Sequence, residues 1–199
     1  MGVYTVVVTG ASGSAYGMRL VEQLLSRGHG VTVIFTEAGR QVTAYELGFA
    51  LPENGAREAL VSFLQAPSDG RLRVVRDDDI FDAVSSGTRK VDAMIVCPAS
   101  MGFIGSVAAG LASDLAERAA DVQLKERRPL VFVPRETPLN LIHLRNMTTL
   151  TEAGAVIVPA MPAFYSKPRS IDDLVNFVVG KVLDVVGVEH DLLKRWDGA

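Results

Sequence analysis

The chain has 199 residues, of which 48% are hydrophobic and 22% charged, and its formal net charge is -3. Its length fits one domain, predicted here as residues 1–199. The absence of a basic surplus excludes binding to nucleic acid or an anionic membrane over a broad surface. The single cysteine, Cys97, excludes a disulfide framework, and no apolar stretch approaches the ~18 residues of a membrane span, so a cytoplasmic protein is expected.

Five short apolar runs, rich in β-branched residues, predict central parallel strands that are buried on both faces. The segments between several of these runs place apolar residues at helical spacing, which favours right-handed βαβ units. The predicted fold is therefore α/β, with a doubly wound and mainly parallel sheet of the Rossmann-like or flavodoxin-like three-layer type. The predicted strands cover residues 5–8, 31–35, 93–97, 130–133 and 155–158.

The stretch of residues 51–90 is less regular and contains several prolines and glycines. It predicts a helix, a weak strand and a long functional loop. The acidic run at residues 77–79 is interpreted as a solvated face, because three adjacent carboxylates do not converge on one ion, and no metal site is predicted. Residues 171–186 predict a final helix, which precedes a polar tail carrying Trp196.

Ligands of a doubly wound sheet bind outside the carboxyl ends of its strands, so the residues that follow each strand are candidates for a site. The first such loop, residues 9–17, contains Gly10, Ala11 and Ser12. Its glycines let backbone amides approach a phosphate at a positive helix end. Thr36 stands where an acid would bind the ribose of NAD, so a mononucleotide is favoured. The loop alone fits an ordinary strand-to-helix turn about equally well.

The segment after the third predicted strand again leads into a helix. Ser100 can cap this helix, while Met101, Gly102 and Phe103 offer amides and an apolar surface to a planar ring. Taken alone, the pattern favours a capped helix whose Met101 and Phe103 side chains belong to the core.

Cations flank the fourth predicted strand on both sides along the chain. Arg118 and Lys125 precede it and Arg135 follows it, so they could surround one anionic ligand, with Glu136 available for proton transfer. Residues 126–128 are interpreted as a solvated loop.

Two prolines and two adjacent aromatic residues follow the last predicted strand, within residues 159–168. Aromatic side chains there could line an apolar substrate, and Tyr165 offers a hydroxyl group to a phosphate. Phe164 is interpreted as part of the core.

Together these segments resemble the UbiX/Pad family of flavin prenyltransferases over nearly the whole chain. The most specific stretches are Arg-Ala-Ala-Asp-Val at 118–122, Leu-Lys-Glu-Arg-Arg-Pro-Leu at 124–130 and Pro-Arg-Glu-Thr-Pro at 134–138. The glycine loop is less specific. The match also includes residues 85–88, 137–138, 143–144, 146–147, 162–165 and 195–196.

The resemblance implies a metal-independent transferase that attaches a dimethylallyl group, from dimethylallyl phosphate or diphosphate, to reduced FMN. The product, a flavin with a fourth ring, would serve a partner decarboxylase of the UbiD type. The family pattern also implies a homo-oligomer, a dodecamer, in which neighbouring subunits complete the sites.

The resemblance also implies roles for particular residues of this chain. The flavin would contact Gly10, Ala11, Ser12, Thr36, Ser100, Met101, Gly102, Phe103 and Arg135. The prenyl phosphate would be held by Ser86, Gly87, Arg118, Lys125, Tyr165 and Lys181. The catalytic groups would be Ser12, Glu46 and Glu136, which transfer protons, and Lys125, whose charge stabilises the departing phosphate.

Two places depart from the family pattern. Gly102 and Phe103 replace a frequent Lys-Thr pair, which leaves backbone contacts there but removes side-chain hydrogen bonds. Lys181 replaces a common arginine, so it offers the phosphate a point charge instead of a bidentate fork.

Three rival functions are a flavin-dependent cysteine decarboxylase, a non-catalytic flavin carrier and a phenolic-acid decarboxylase. The first should carry a histidine after the second strand, where this chain has Glu46. The histidines of the chain, His29, His143 and His190, fall elsewhere.

Overall fold

The computed structural model describes residues 1–193, which form a six-stranded sheet covered by helices on both faces. The spatial order of the strands is β3-β2-β1-β4-β5-β6, and every neighbouring pair is parallel. The predicted doubly wound α/β fold is therefore confirmed. The strands are β1 (Val3–Val8), β2 (Gly30–Phe35), β3 (Leu72–Arg76), β4 (Ala93–Ala99), β5 (Leu130–Pro134) and β6 (Val156–Ile157). Arg195 and Trp196 lie outside the described residues.

Seven helices lie within residues 1–193. They are α1 (Ser14–Ser26), α2 (Glu37–Leu47), α3 (Ala56–Leu64), α4 (Met101–Ala108), α5 (Leu115–Lys125), α6 (Leu141–Glu152) and α7 (Ile171–Val185). The irregular stretch at 51–90 contains α3, β3 and a 3₁₀ turn at Ala83–Ser85, in agreement with its composition. None of the helices in this part of the chain is long and apolar enough to cross a bilayer.

The sheet separates two apolar cores, and alternate residues of its central strands enter one or the other. Val6 and Val8 of β1 pack with α1 and α7, whereas Val7 packs with α4 and α5. Strands that face two cores are hydrophobic at nearly every position, which is why these runs show no polar alternation.

β6 differs from the other strands. It has two residues and pairs only with β5, and 41% of the surface of Val156 is exposed. The prediction of a central strand at 155–158 is therefore wrong, because this run forms the short edge strand of the sheet.

The strand order reverses between β1 and β4, and this reversal positions the candidate site. α1 follows β1 and covers one face of the sheet, while α4 follows β4 and covers the other. Ligands of such sheets bind at the carboxyl ends of the strands where the order reverses, and we call this region, bordered by the loops after β1 and β4, the strand-tip crevice.

Candidate active site

The two loops that border the strand-tip crevice are joined by Thr9, a residue that sequence reasoning did not single out. Its buried hydroxyl donates a hydrogen bond to the Pro98 carbonyl at 2.8 Å and accepts one from the Ser100 amide at 2.8 Å. One side chain thereby holds the start of the glycine loop against the start of α4. The sequence marks Thr9 only as the residue after a strand, and its partners lie about ninety positions away.

Glu46 lies against the glycine loop. Its Oε2 accepts hydrogen bonds from the Gly13 and Ser14 amides, both at 2.9 Å. Gly13 precedes α1 with φ 107°, a left-handed conformation that suits glycine, and it has no side chain with which to cap the helix. The carboxylate from α2 therefore caps α1, and these two amides are occupied by Glu46 instead of being open to a phosphate.

The surroundings of Glu46 keep it ionised at neutral pH. Partial burial raises the pKa of this carboxyl, but hydrogen bonds from the Ser12 side chain and from the Gly13 and Ser14 amides outweigh that effect and lower it overall. The structure thus brings together Ser12 and Glu46, two of the predicted proton-transfer groups. An ionised carboxylate beside a hydroxyl can act as a base but not as an acid.

Arg135 connects the end of β5 to the same crevice. Its Nε donates to the Ser12 carbonyl at 3.2 Å, and its amide donates to the Ala99 carbonyl at 3.3 Å. The adjacent Glu136 is exposed, and its carboxylate accepts a hydrogen bond from the Thr137 amide at 3.0 Å. Arg135 therefore lies in the crevice, while Glu136 lies on its rim.

The residues after β4 form a capped helix with two side chains in the core, as the sequence pattern alone favoured. Ser100 caps α4 by accepting a hydrogen bond from the Phe103 amide at 3.3 Å. Met101 and Phe103 are buried, and the Phe103 ring packs 6.4 Å from the ring of Phe132. The expected apolar surface for a planar ring is therefore absent at these two side chains, which belong to the core. Gly102 is exposed, so a ligand can approach the backbone of the first turn.

Two further residues border the crevice. Thr36 caps α2 by accepting a hydrogen bond from the Gly39 amide at 3.1 Å, which places it at the end of β2. Tyr16, which sequence reasoning did not assign, packs its ring over Gly13. Burial and the nearby Cys97 raise the pKa of Tyr16, and the guanidinium of Arg135 only partly opposes this.

The opposite end of the sheet, at the amino ends of the strands, carries three of the residues assigned to the phosphate. We call Ser86, Gly87 and Lys125 the amino-edge cluster. Lys125 ends α5 just before β5 begins, and Asp92 of the same loop as Gly87 hydrogen-bonds Val3 at the start of β1. A five-residue strand at ~3.3 Å per residue separates this edge from Arg135 by on the order of 15 Å. The expectation that cations before and after this strand surround one ligand is therefore wrong within a single chain.

The interpretation of residues 126–128 as a solvated loop is correct only in part. Arg127 is exposed, but the Arg128 side chain is only 20% exposed and donates to the carbonyls of Gly87 and Arg89. Glu126 forms an ion pair with Lys125.

The remaining residues assigned to the phosphate are placed as follows. Arg118 pairs with Asp121 on α5 at 2.6 Å. Tyr165 and Lys181 line one cavity of 430 Å³ beside α7, where the Tyr165 ring packs edge-on against Phe177. The interpretation of Phe164 as core is wrong, since this side chain is 73% exposed.

Within residues 1–193 the structure offers neither a reactive thiol nor a cluster of metal ligands. The Cys97 thiol is buried, and burial raises its pKa, so this thiol stays protonated and is a poor nucleophile. No group of three or more His, Cys, Asp or Glu side chains within residues 1–193 is placed to hold a metal ion.

Comparison with known proteins assigns the chain to a family. The Flavoprotein family model matches residues 3–183. The flavin prenyltransferase UbiX of Halalkalibacterium halodurans is 48% identical over 195 residues, which are 98% of this chain and 93% of that protein. The chain belongs to the flavin prenyltransferase family. The resemblance of its sequence motifs to this family is thus confirmed.

Two solved structures share the fold described above. AnUbiX, in complex with FMN and dimethylallyl pyrophosphate, superimposes with a TM-score of 0.89 at 36% identity and covers 100% of this chain and 98% of its own. A dodecameric FMN-dependent UbiX-like decarboxylase from Escherichia coli O157:H7 gives 0.88 at 36% identity, with coverage of 98% and 100%.

Proposed function

We propose that the chain transfers a dimethylallyl group from dimethylallyl phosphate or diphosphate to reduced FMN. The observation that carries the proposal is the strand-tip crevice, in which Ser12, ionised Glu46 and Arg135 meet in a chain 48% identical to a flavin prenyltransferase. The relative AnUbiX binds both FMN and dimethylallyl pyrophosphate, which are the acceptor and a donor that this reaction requires.

The residues around the strand-tip crevice fit a flavin mononucleotide. Arg135 offers guanidinium donors, and the first turn of α4 offers backbone amides beside the exposed Gly102, where the helix dipole favours the negative charge of a phosphate. This surface is completed by residues that follow the two neighbouring strands, namely Gly10 and Ala11 after β1 and Thr36 after β2. When bound, reduced FMN supplies the electron-rich ring that accepts the allyl group.

The cations assigned to the prenyl phosphate explain how the phosphate can leave the dimethylallyl group. Cleavage of the allylic carbon–oxygen bond sends the electron pair out with the phosphate, whose negative charge grows in the transition state. Lys125, Arg118 and Lys181 stabilise that charge, and the Tyr165 hydroxyl can donate a hydrogen bond to it. A cluster of fixed cations performs the task that a divalent metal ion performs in other enzymes.

Closure of the fourth ring of the flavin requires proton transfers, which side chains at the strand-tip crevice carry out. Glu46 is ionised and hydrogen-bonded to Ser12, so it takes up a proton through that hydroxyl. Glu136, on the exposed rim next to Arg135, exchanges the second proton with solvent.

The separation of the amino-edge cluster from the strand-tip crevice supports a site to which more than one copy of the chain contributes. We propose a homo-oligomer, a dodecamer, in which one copy provides the crevice and another provides Ser86, Gly87 and Lys125. The Escherichia coli O157:H7 relative is dodecameric. The prenylated flavin would pass to a UbiD-type decarboxylase in the cytoplasm, a reducing compartment suited to a chain with one buried thiol.

The test is to mix the purified chain with reduced FMN and either dimethylallyl phosphate or dimethylallyl diphosphate, and to measure the mass of the flavin. An isoprenyl-sized increase in mass supports the proposal. Unmodified FMN with both donors rejects it, and would leave flavin transport as the function. Release of carbon dioxide from a peptidyl cysteine or a phenolic acid would instead identify a decarboxylase.

A further inference from the structure

Arg128 holds two carbonyl groups of the turn that contains Gly87. Its Nη2 donates to the Gly87 carbonyl at 2.6 Å, and its Nη1 donates to the Arg89 carbonyl at 2.7 Å. With 20% of its side chain exposed, Arg128 is largely withdrawn from solvent. A planar guanidinium fixes two acceptors at once, which an ammonium group does less well.

Lys125 approaches the same turn from another side. A Cβ atom added to Gly87 would lie 2.8 Å from the Lys125 Nζ and would clash with the Glu126 carboxylate. Only a residue without a side chain allows the ammonium so close to the backbone. Glu126 is paired with Lys125 and lies 3.9 Å from Arg128, so the three side chains form one charged network around Gly87.

Glycine at position 87 also makes the turn easy to rotate. A flip of the peptide between Gly87 and Thr88 would carry the Gly87 carbonyl away from Arg128 and reverse the dipole of that peptide. The Thr88 amide of this peptide donates to the Ser86 hydroxyl at 3.3 Å, while Arg128 holds the Gly87 carbonyl at 2.6 Å, so these two bonds together set the orientation of the peptide. A carbonyl turned toward a phosphate would repel it.

We infer that Arg128 is a positioning residue for the prenyl phosphate. It fixes the Ser86-Gly87 turn so that the amide side of the turn and the Lys125 ammonium face the phosphate while the carbonyls face Arg128. This inference rests on the proposed function and adds to it a residue that does not itself touch the substrate.

The test is steady-state kinetics of flavin prenylation with the full-length Arg128→Met variant, varying dimethylallyl phosphate at saturating reduced FMN. We expect kcat/KM for the donor to fall about tenfold or more, mainly through a higher KM, because two hydrogen bonds from a charged donor are lost. The Kd for FMN should stay within about twofold of wild type, since the strand-tip crevice is not touched. Arg127→Met, which removes the exposed neighbouring cation, should match wild type in both constants.

Two further variants distinguish positioning from general support of the fold. Arg128→Lys should recover part of the donor KM, and it serves in place of Arg128→Met should that variant fail to fold. In the double variant with Lys125→Met, the two losses should be clearly less than additive, because both act on the same phosphate contact.

An unchanged donor KM in a folded Arg128 variant would overturn the inference, as would an equal weakening of FMN binding or full additivity with Lys125→Met. If the wild-type chain forms no prenylated flavin with either donor, the proposed function fails instead. The two failures are therefore distinguishable.

Discussion

At the beginning of α1, Glu46 provides the hydrogen-bond acceptor that the glycine loop lacks. Gly13 occupies the capping position without a side chain, so the first amides of the helix depend on a carboxylate from α2. The same contact orients Glu46 toward Ser12. One side chain therefore has a structural role and a place in the proposed proton transfer.

The variant Glu46→Gln tests the structural role. The pKa of Glu46 is lower in the folded protein than in the unfolded chain, so its stabilisation is present above the unfolded pKa and is lost as the pH falls through the folded pKa. We expect the variant to lower the free energy of unfolding by about 1 kcal/mol at pH 7, with the difference shrinking as the pH falls below about 4. Urea denaturation at both pH values measures this.

Glu22→Gln is the matched control for that comparison. Glu22 pairs with Arg19 on the exposed side of α1 at 3.3 Å, and such pairs contribute about 0.5 kcal/mol or less. A Glu46→Gln variant as stable as the control at pH 7 would show that the carboxylate does not hold the loop.

Variants of Glu136 and Tyr165 test the assigned catalytic roles. Glu136→Gln should lower kcat by about a hundredfold, because a proton exchange is lost, and Tyr165→Phe should lower kcat/KM for the donor by about tenfold. Each variant should change the Kd for FMN by less than its effect on turnover, which isothermal titration and single-turnover assays can compare. Loss of flavin binding with intact single-turnover chemistry would show that these roles are wrong.

At the residue scale, sequence reasoning located groups by their position after a strand but could not find their partners. Ser12, Glu46 and Arg135 do meet at the strand-tip crevice. Thr9 and Arg128 were missed because each acts on backbone groups about forty or more positions away. No local pattern marks a side chain whose partner is a distant carbonyl.

The beginning of α5 gathers three carboxylates, of which one, Asp77, belongs to the acidic run that was interpreted as a solvated face. Asp77, just after β3, accepts a hydrogen bond from the Ala116 amide at 2.9 Å. Asp114 caps the same helix, and Glu117 is buried in its first turn. Burial, together with repulsion from Asp114, Glu117 and Asp78, raises the pKa of Asp77 to about 6, although the bond from Ala116 opposes this. The interpretation of the acidic run as a solvated face is therefore wrong for Asp77.

Asp77→Asn should stabilise the protein above neutral pH. Because the pKa of Asp77 is higher in the folded protein than in the unfolded chain, the folded state binds more protons between about pH 4 and pH 6, and stability falls as the pH rises through that range. Asparagine keeps an oxygen for the Ala116 amide but carries no charge. We expect a gain of about 1–2 kcal/mol at pH 8 and none at pH 4, measured by urea denaturation.

The control for Asp77→Asn is Asp78→Asn. Asp78 is exposed, and its hydrogen bond with Arg76 lowers its pKa, so its removal should give no stabilisation at pH 8. Equal gains from the two variants would mean that only net charge matters and that the burial of Asp77 does not.

At the element scale, apolar runs predicted the strands because a buried parallel strand needs no polar alternation. The same pattern could not separate an edge strand such as β6 from a central one, since apolar residues occur in both. The position of Lys125 was available from the sequence: parallel strands run in one direction, so residues before a strand lie at the edge opposite to those after it. The expectation that the cations before and after β5 surround one ligand conflicts with that rule.

At the scale of the whole molecule, the strand order reverses between β1 and β4, and a ligand site at the carboxyl ends of the strands could be predicted once the α/β pattern was recognised. The proposed sharing of a site between copies of the chain could not be deduced from periodicity. The proposal depends on the position of the amino-edge cluster, which lies at the end of the sheet opposite to Arg135.

Complementation between two inactive variants tests this shared site most directly. Arg135→Ala damages the strand-tip crevice and Lys125→Ala damages the amino-edge cluster, so each oligomer alone should have little prenyltransferase activity. When the two chains are co-expressed in equal amounts and assemble at random, about one quarter of the sites would combine an intact crevice with an intact cluster. We predict recovery of about a quarter of wild-type activity in the mixed oligomers. Activity no greater than the mean of the two separate variants would contradict a site built from two copies.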